Sequence, residues 1–150
     1  PSSAASDVYK RQDLSKDIQK GLVEVEKIGD KITVRLASQG SFVSGSANLK
    51  SEFEALLSRV GISLSASKGK IRVEGHTDNV PVAFSERFKS NWDLSAARSA
   101  SVADFFINSS GFEQDKITVA GFADTRPIAN NDSSAGRARN RRIEVIVDGK

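Results

Sequence analysis

The chain has 150 residues, 38% of them hydrophobic, and its 22 basic against 19 acidic side chains give a formal charge of +3. That length suits one domain able to bury roughly two-thirds of the surface its unfolded chain exposes, and so small a positive surplus does not by itself imply a nucleic-acid partner. The absence of Cys excludes disulfides, thiolate nucleophiles and thiolate metal sites, and no run approaches the ~18 apolar residues of a membrane span.

The chain starts at Pro1 and carries no signal-peptide pattern, so it is expected to be a piece of a longer protein whose targeting or anchoring segments lie elsewhere. Residues 1–6 are small and polar, a linker-like start. From Asp7 to Gly21, the loose helical spacing of Val8, Leu14, Ile18 and Leu22 predicts a short amphipathic helix. Two alternating runs, 22–26 and 32–36, flank the turn signal Gly29-Asp30 and predict a β-hairpin. Leu49, Phe53, Leu56, Leu57 and Val60 then form a strong helical stripe, ended at Gly61.

Ile71 and Val73 mark the next strand, which runs into Gly75-His76-Thr77-Asp78. Beyond a long loop, Ser90-Asn91-Trp92-Asp93 has the form of a capping box and opens a helix reaching about Ser109, stopped by Gly111. Ile117, Val119 and Gly121 form a third strand pattern, closed by Pro127. A helical turn over 135–138 and a last strand over 142–148, with Ile143, Val145 and Val147 on one face, complete the chain. The summed order predicts an α+β sandwich, a mixed β-sheet with helices packed on one face and the other face wet. Residues 1–21 are expected to be linker and N-terminal helix, and 22–150 the domain.

Helical phase singles out one residue. At about 100° per residue with Leu94 as zero, Arg98 falls near 40°, between Phe105 near 20° and Val102 near 80°; Asn91 lies near 60° and Ser95 near 100°. A guanidinium within an apolar stripe needs an anion, because leaving it unmatched costs several kcal/mol. Asp78 is one candidate, through a plain salt bridge that pins the crossover. On the residues alone that bridge is the stronger reading; a bound ligand is the other, and the loop length and the surplus anion-binding capacity of Asn91, Ser95 and the helix N-terminus speak for it.

Four motifs in order, GHTD at 75–78, NWDLSAAR at 91–98, GFADTRPIANN at 121–131 and GRARNRR at 136–142, resemble the OmpA C-terminal-like, peptidoglycan-binding domain. The continuation Asn79-Val80-Pro81-Val82, the long loop and FVSGSANL at 42–49 resemble its MotB/PomB branch, the flagellar stator subunits. The resemblance implies a non-catalytic, periplasmic wall anchor that binds the diaminopimelate of the peptidoglycan stem peptide. On it, Asp78 receives the ammonium and Arg98 forks onto a carboxylate, with Asn91 and Ser95 completing the ligand site. Thr77, Leu94, Asn140 and Arg141 are implied as support. It also implies a homodimer and a membrane-embedded stator partner reached through an N-terminal segment. An outer-membrane-protein or lipoprotein wall tether is the alternative within the family.

Other chemistries are poorly served. His76 is the only histidine, and a metal on His76 and Asp78 alone lacks two ligands, so no metal or cofactor is expected and His76 reads as a strand-end residue with a structural hydrogen bond. Ser95, His76 and Asp78 have no nucleophile-elbow setting, which argues against an enzyme. The cluster Arg137, Arg139, Arg141 and Arg142 suggests a basic RNA-binding module, but the strands lack stacking aromatics, so no nucleic-acid partner is expected. Trp92, near 160°, points away from the stripe.

Overall fold

The computed structural model describes residues 14–38, 40–65, 69–82 and 87–148. The elements in order are α1 (Ser15–Gln19), β1 (Val23–Ile28), β2 (Lys31–Ala37), α2 (Ser51–Ser65), β3 (Ile71–His76), α3 (Asn91–Ser110), a 3-10 turn (Gln114–Lys116), β4 (Ile117–Gly121), α4 (Ser134–Asn140) and β5 (Arg142–Asp148). The five strands make one mixed sheet in the order β1-β2-β5-β3-β4, with only β3 and β4 parallel. Among the described residues no helix is long and apolar enough to cross a membrane.

The register explains both faces. Val25, Val34, Val145, Val73 and Val119 lie in one row across the strands; all but the exposed edge residue Val119 join Leu36, Ile143, Ile71 and Val147 in an apolar floor for the helices. Phe53, Leu57, Val60 and Leu64 of α2 and Val102 and Phe106 of α3 close the core. The helix expected over 7–21 is α1 within the described residues; Val8 lies outside them, Leu14 and Ile18 reach the core, and Leu22 is exposed. Arg59 of α2 clamps the buried Asp17 through bonds of 2.8 and 3.0 Å.

The opposite face of the sheet is polar, as its alternation predicts, and its outer residues Glu24, Glu26 and Arg72 are exposed, but its centre is not wet. Glu24, Arg35, Glu144 and Glu74 form a second row one residue out of phase. Here Glu74, His76, Arg142 and Glu144 are each buried. Glu144 lies directly opposite Glu74, a repulsive pairing that survives because arginines interleave. Arg142 and Arg35 both bind Glu144 Oε2, at 2.6 and 3.1 Å, and Arg72 binds Glu74 Oε2 at 2.7 Å. The charges thus cover one another, a long-range cancellation that alternation alone does not reveal.

Two glycines set the distance between α3 and the sheet. A Cβ on Gly75 would fall onto the backbone carbonyl of Ser95, and one on Gly121 would stand 2.5 Å from Ala96 N. At the helix start, Ser90 Oγ accepts from Asp93 N at 3.3 Å while Asp93 Oδ2 accepts from Lys89 N at 3.2 Å. At its end, Gly111 adopts φ 74° and Phe112 N returns to Phe106 O at 3.2 Å.

Candidate functional site

The strand β3 ends against a cleft of about 560 Å³ bounded by the 38–50 loop, the 77–82 loop, the first turns of α3 and Arg141. Asp78 is buried at its base. Its Oδ1 accepts from Val80 N at 2.9 Å and its Oδ2 from Arg141 Nη1, so both oxygens are anchored. The backbone beneath is equally tied: Thr77 N donates to Ala123 O at 2.9 Å and Thr77 Oγ1 to Asp78 O at 2.8 Å. Asn91, the first residue of α3, spends its amide nitrogen on Val80 O at 3.0 Å and Asp78 O at 3.4 Å, joining helix and loop.

Arg98 borders the same cleft. The buried residues of α3 are Leu94, Ser95, Ser99, Val102, Ala103 and Phe106, which centres its core-facing stripe nearer Ser95 than Leu94. Arg98 therefore stands on the flank of the stripe, half-buried, where it reaches the cleft instead of the core. Its Nε donates to Ser46 O at 2.9 Å, and its guanidinium lies 4.7 Å from the centre of the Phe42 ring. Among the described residues no carboxylate pairs with it. Burial, and secondarily the charge of Arg141, push its pKa down to about 10. The expected Asp78–Arg98 bridge is thus replaced by Asp78–Arg141, and Arg98 is left as a cation without an anion among the described residues.

Asp78, Asn91, Arg98, Thr77 and Leu94 all line the cleft. Ser95, expected beside them, does not. It is buried on the other side, where its Oγ donates to Trp92 O at 3.1 Å and accepts from Ala123 N at 3.1 Å, fastening the loop after β4 to α3. Asn140 makes four bonds: its Oδ1 accepts from Ile128 N and Ala129 N, and its Nδ2 donates to Ala129 O and Asn131 Oδ1, all between 2.8 and 2.9 Å. Arg141, expected as support, holds Asp78 and also lines the cleft. Ser38, Phe42, Lys50 and the apolar run Val80, Pro81 and Val82 also line the walls. Phase and spacing do not find these, because loop residues have no period; only the run FVSGSANL hinted at the 42–50 wall.

His76 lacks its expected hydrogen bond. Both ring nitrogens are buried without one, Nε2 sits 3.4 Å from Glu74 Oε1, and the ring stacks on Phe122 at 5.4 Å. Glu74, His76 and Glu144 bring three ligand atoms within 4.8 Å of one another. The guanidiniums of Arg72, Arg35 and Arg142 already supply the positive charge there, so a further buried cation would be repelled. Trp92 is exposed at the start of α3.

Residues 41–141, with the cleft and its Asp78, Arg98 and Arg141, match the OmpA family. The chain belongs to the OmpA family. Motility protein B of Bacillus subtilis is 26% identical over 153 residues, covering 95% of this chain and 58% of that protein. The peptidoglycan-binding protein ArfA of Mycobacterium tuberculosis is 35% identical over 105 residues, 69% of this chain and 30% of that protein. The structure of the cell wall anchor of the T6SS from Pseudomonas aeruginosa superposes with a TM-score of 0.87 at 40% identity, covering 93% of this chain and 96% of that one. This OmpA-family chain spans about half the length of the first curated relatives it matches, 43% and 58%.

Proposed function

We propose that this domain anchors a larger protein to the bacterial cell wall by binding peptidoglycan non-covalently, taking the diaminopimelate side chain of a stem peptide between Asp78 and Arg98. The observation that carries the reading is the cleft's charge arrangement: a buried carboxylate beside a half-buried guanidinium that has no carboxylate partner among the described residues. An ammonium suits Asp78 and a carboxylate suits the forked donors of Arg98. Such a zwitterionic side chain is what diaminopimelate carries. The relatives named as a cell wall anchor and a peptidoglycan-binding protein support the same substrate.

The role is binding without catalysis, in the periplasm or elsewhere in the cell envelope. Each charge-assisted hydrogen bond contributes about 1.5–3 kcal/mol, so one domain grips weakly and a homodimer on the polymeric wall gains through avidity. The likeness to Motility protein B supports attachment to a flagellar stator. A second reading, the anchor of a secretion apparatus, is favoured by the higher identity of 40% to the T6SS anchor across nearly both chains. Loss of swimming or loss of secretion in a strain lacking the parent protein separates the two.

The binding itself is tested by co-sedimentation with purified diaminopimelate-type peptidoglycan. Asp78→Asn and Arg98→Ala are each expected to abolish it while the thermal transition persists. Normal binding by both variants would sink the assignment of the site.

A further inference from the structure

The cleft carries more positive charge than one zwitterion needs. Among the described residues lining it, Lys50, Arg98 and Arg141 face a single carboxylate, Asp78. Filling the site with one ammonium and one carboxylate leaves that excess unchanged. One further polar group there also lacks a partner. Ser38, at the end of β2, lines the cleft, is 5% exposed, and its Oγ has no hydrogen bond. It is held beside Arg141, whose carbonyl accepts from Ser38 N at 3.0 Å. A buried hydroxyl without a partner is costly, and the hydroxyl hydrogen rotates to suit whichever acceptor is brought to it.

Resting on the stem-peptide reading above, we propose that the site selects a diaminopimelate that ends its peptide, and so bears two free carboxylates and one ammonium. Arg98 takes the side-chain carboxylate, and Ser38 Oγ with Arg141 takes the terminal α-carboxylate. The ammonium joins Asp78, replacing the charge that Arg141 turns toward the ligand. The substrate class is therefore the trimmed tripeptide stem. In a longer stem the α-carboxyl is an amide, which brings no charge to Arg141 and Ser38.

The test is calorimetric titration of the domain with the soluble tripeptide L-Ala-D-isoGlu-diaminopimelate and with the same peptide carrying a terminal α-carboxamide. One charge-assisted contact corresponds to a preference on the order of tenfold for the free acid. Ser38→Ala, whose lost hydroxyl makes no bond in the fold, is expected to shrink that preference below about threefold. Equal affinity of the parent domain for both peptides overturns this proposal and leaves the stem-peptide reading standing, as does a full preference retained by Ser38→Ala. If neither peptide binds the parent domain, the stem-peptide reading falls and this inference with it.

Discussion

Asp78 is held by Arg141, 63 positions further along the chain, and not by Arg98, 20 positions away on the helix that opens the motif. Arg141 thereby ties β3 to the end of α4, and its guanidinium is one of the cleft's walls. Arg141→Ala should lower unfolding free energy by roughly 1–3 kcal/mol in denaturant titrations, because it strands a buried carboxylate. Added to Asp78→Asn it should cost much less than the sum, the signature of a coupled pair. Strict additivity would mean the pair contributes nothing.

Arg98 should trade stability for function. A base whose folded pKa is pushed below its ordinary value destabilises the fold, and the penalty is complete at every pH well below about 10, pH 7 included. Replacing it with an apolar side chain of similar length removes the penalty. Arg98→Met is therefore expected to melt at the parent temperature or above it while losing peptidoglycan binding. A large drop in melting temperature would show that the Ser46 and Phe42 contacts outweigh the burial of charge.

Asn140 is fully buried and uses both ends of its amide on the 128–131 loop. Truncation to Ala leaves two backbone N–H groups and a carbonyl without their partner. We expect a loss of roughly 2–4 kcal/mol by denaturant unfolding, with Asn140→Asp no substitute, since an acid cannot donate to Ala129 O when ionised.

The polar face of the sheet should set the acid limit of the fold. Burial works to raise the pKa of Glu144, but the hydrogen bond and charge of Arg142, then those of Arg35, outweigh it and hold the carboxyl below its ordinary value of 4.5. Glu74 is lowered in the same way: burial acts against it, and the His76 contact and the Arg72 guanidinium win. A depressed carboxyl stabilises the fold above its unfolded pKa and loses that contribution as pH falls through the folded one. Melting temperature should thus hold from pH 7 to 5 and decline below about 4.5. Glu144→Gln should be less stable at pH 7 and converge on the parent in acid; a constant gap between the two would contradict the linkage.

The glycines, caps and apolar periods make the order of elements legible in the sequence, since each acts within a few residues of itself. The hairpin around Gly29-Asp30 and the capped helix at Ser90 stand where their residues place them, whereas α2 runs past Gly61, its expected end, to Ser65, because Gly61 packs inside the helix against Ser110 and Phe106. Arg98 shows the limit of that reasoning. Phase counted from Leu94 put it inside the stripe and Ser95 at the edge, whereas the close approach that Gly75 and Gly121 allow centres the contact near Ser95 and leaves Arg98 on the cleft side.

By itself, then, the sequence determined which groups exist to make a site: one aspartate after a strand, one arginine on a helix, and an asparagine–arginine pair before the last strand. Which of them meet was decided only by the tertiary structure. Charge pairing depends on distances between segments brought together by the strand order β1-β2-β5-β3-β4, and no local period encodes that order. The same placement of β5 beside β3 buries the arginine–glutamate layer and sets Arg141 against Asp78. It leaves Arg98 on the cleft with no carboxylate partner among the described residues.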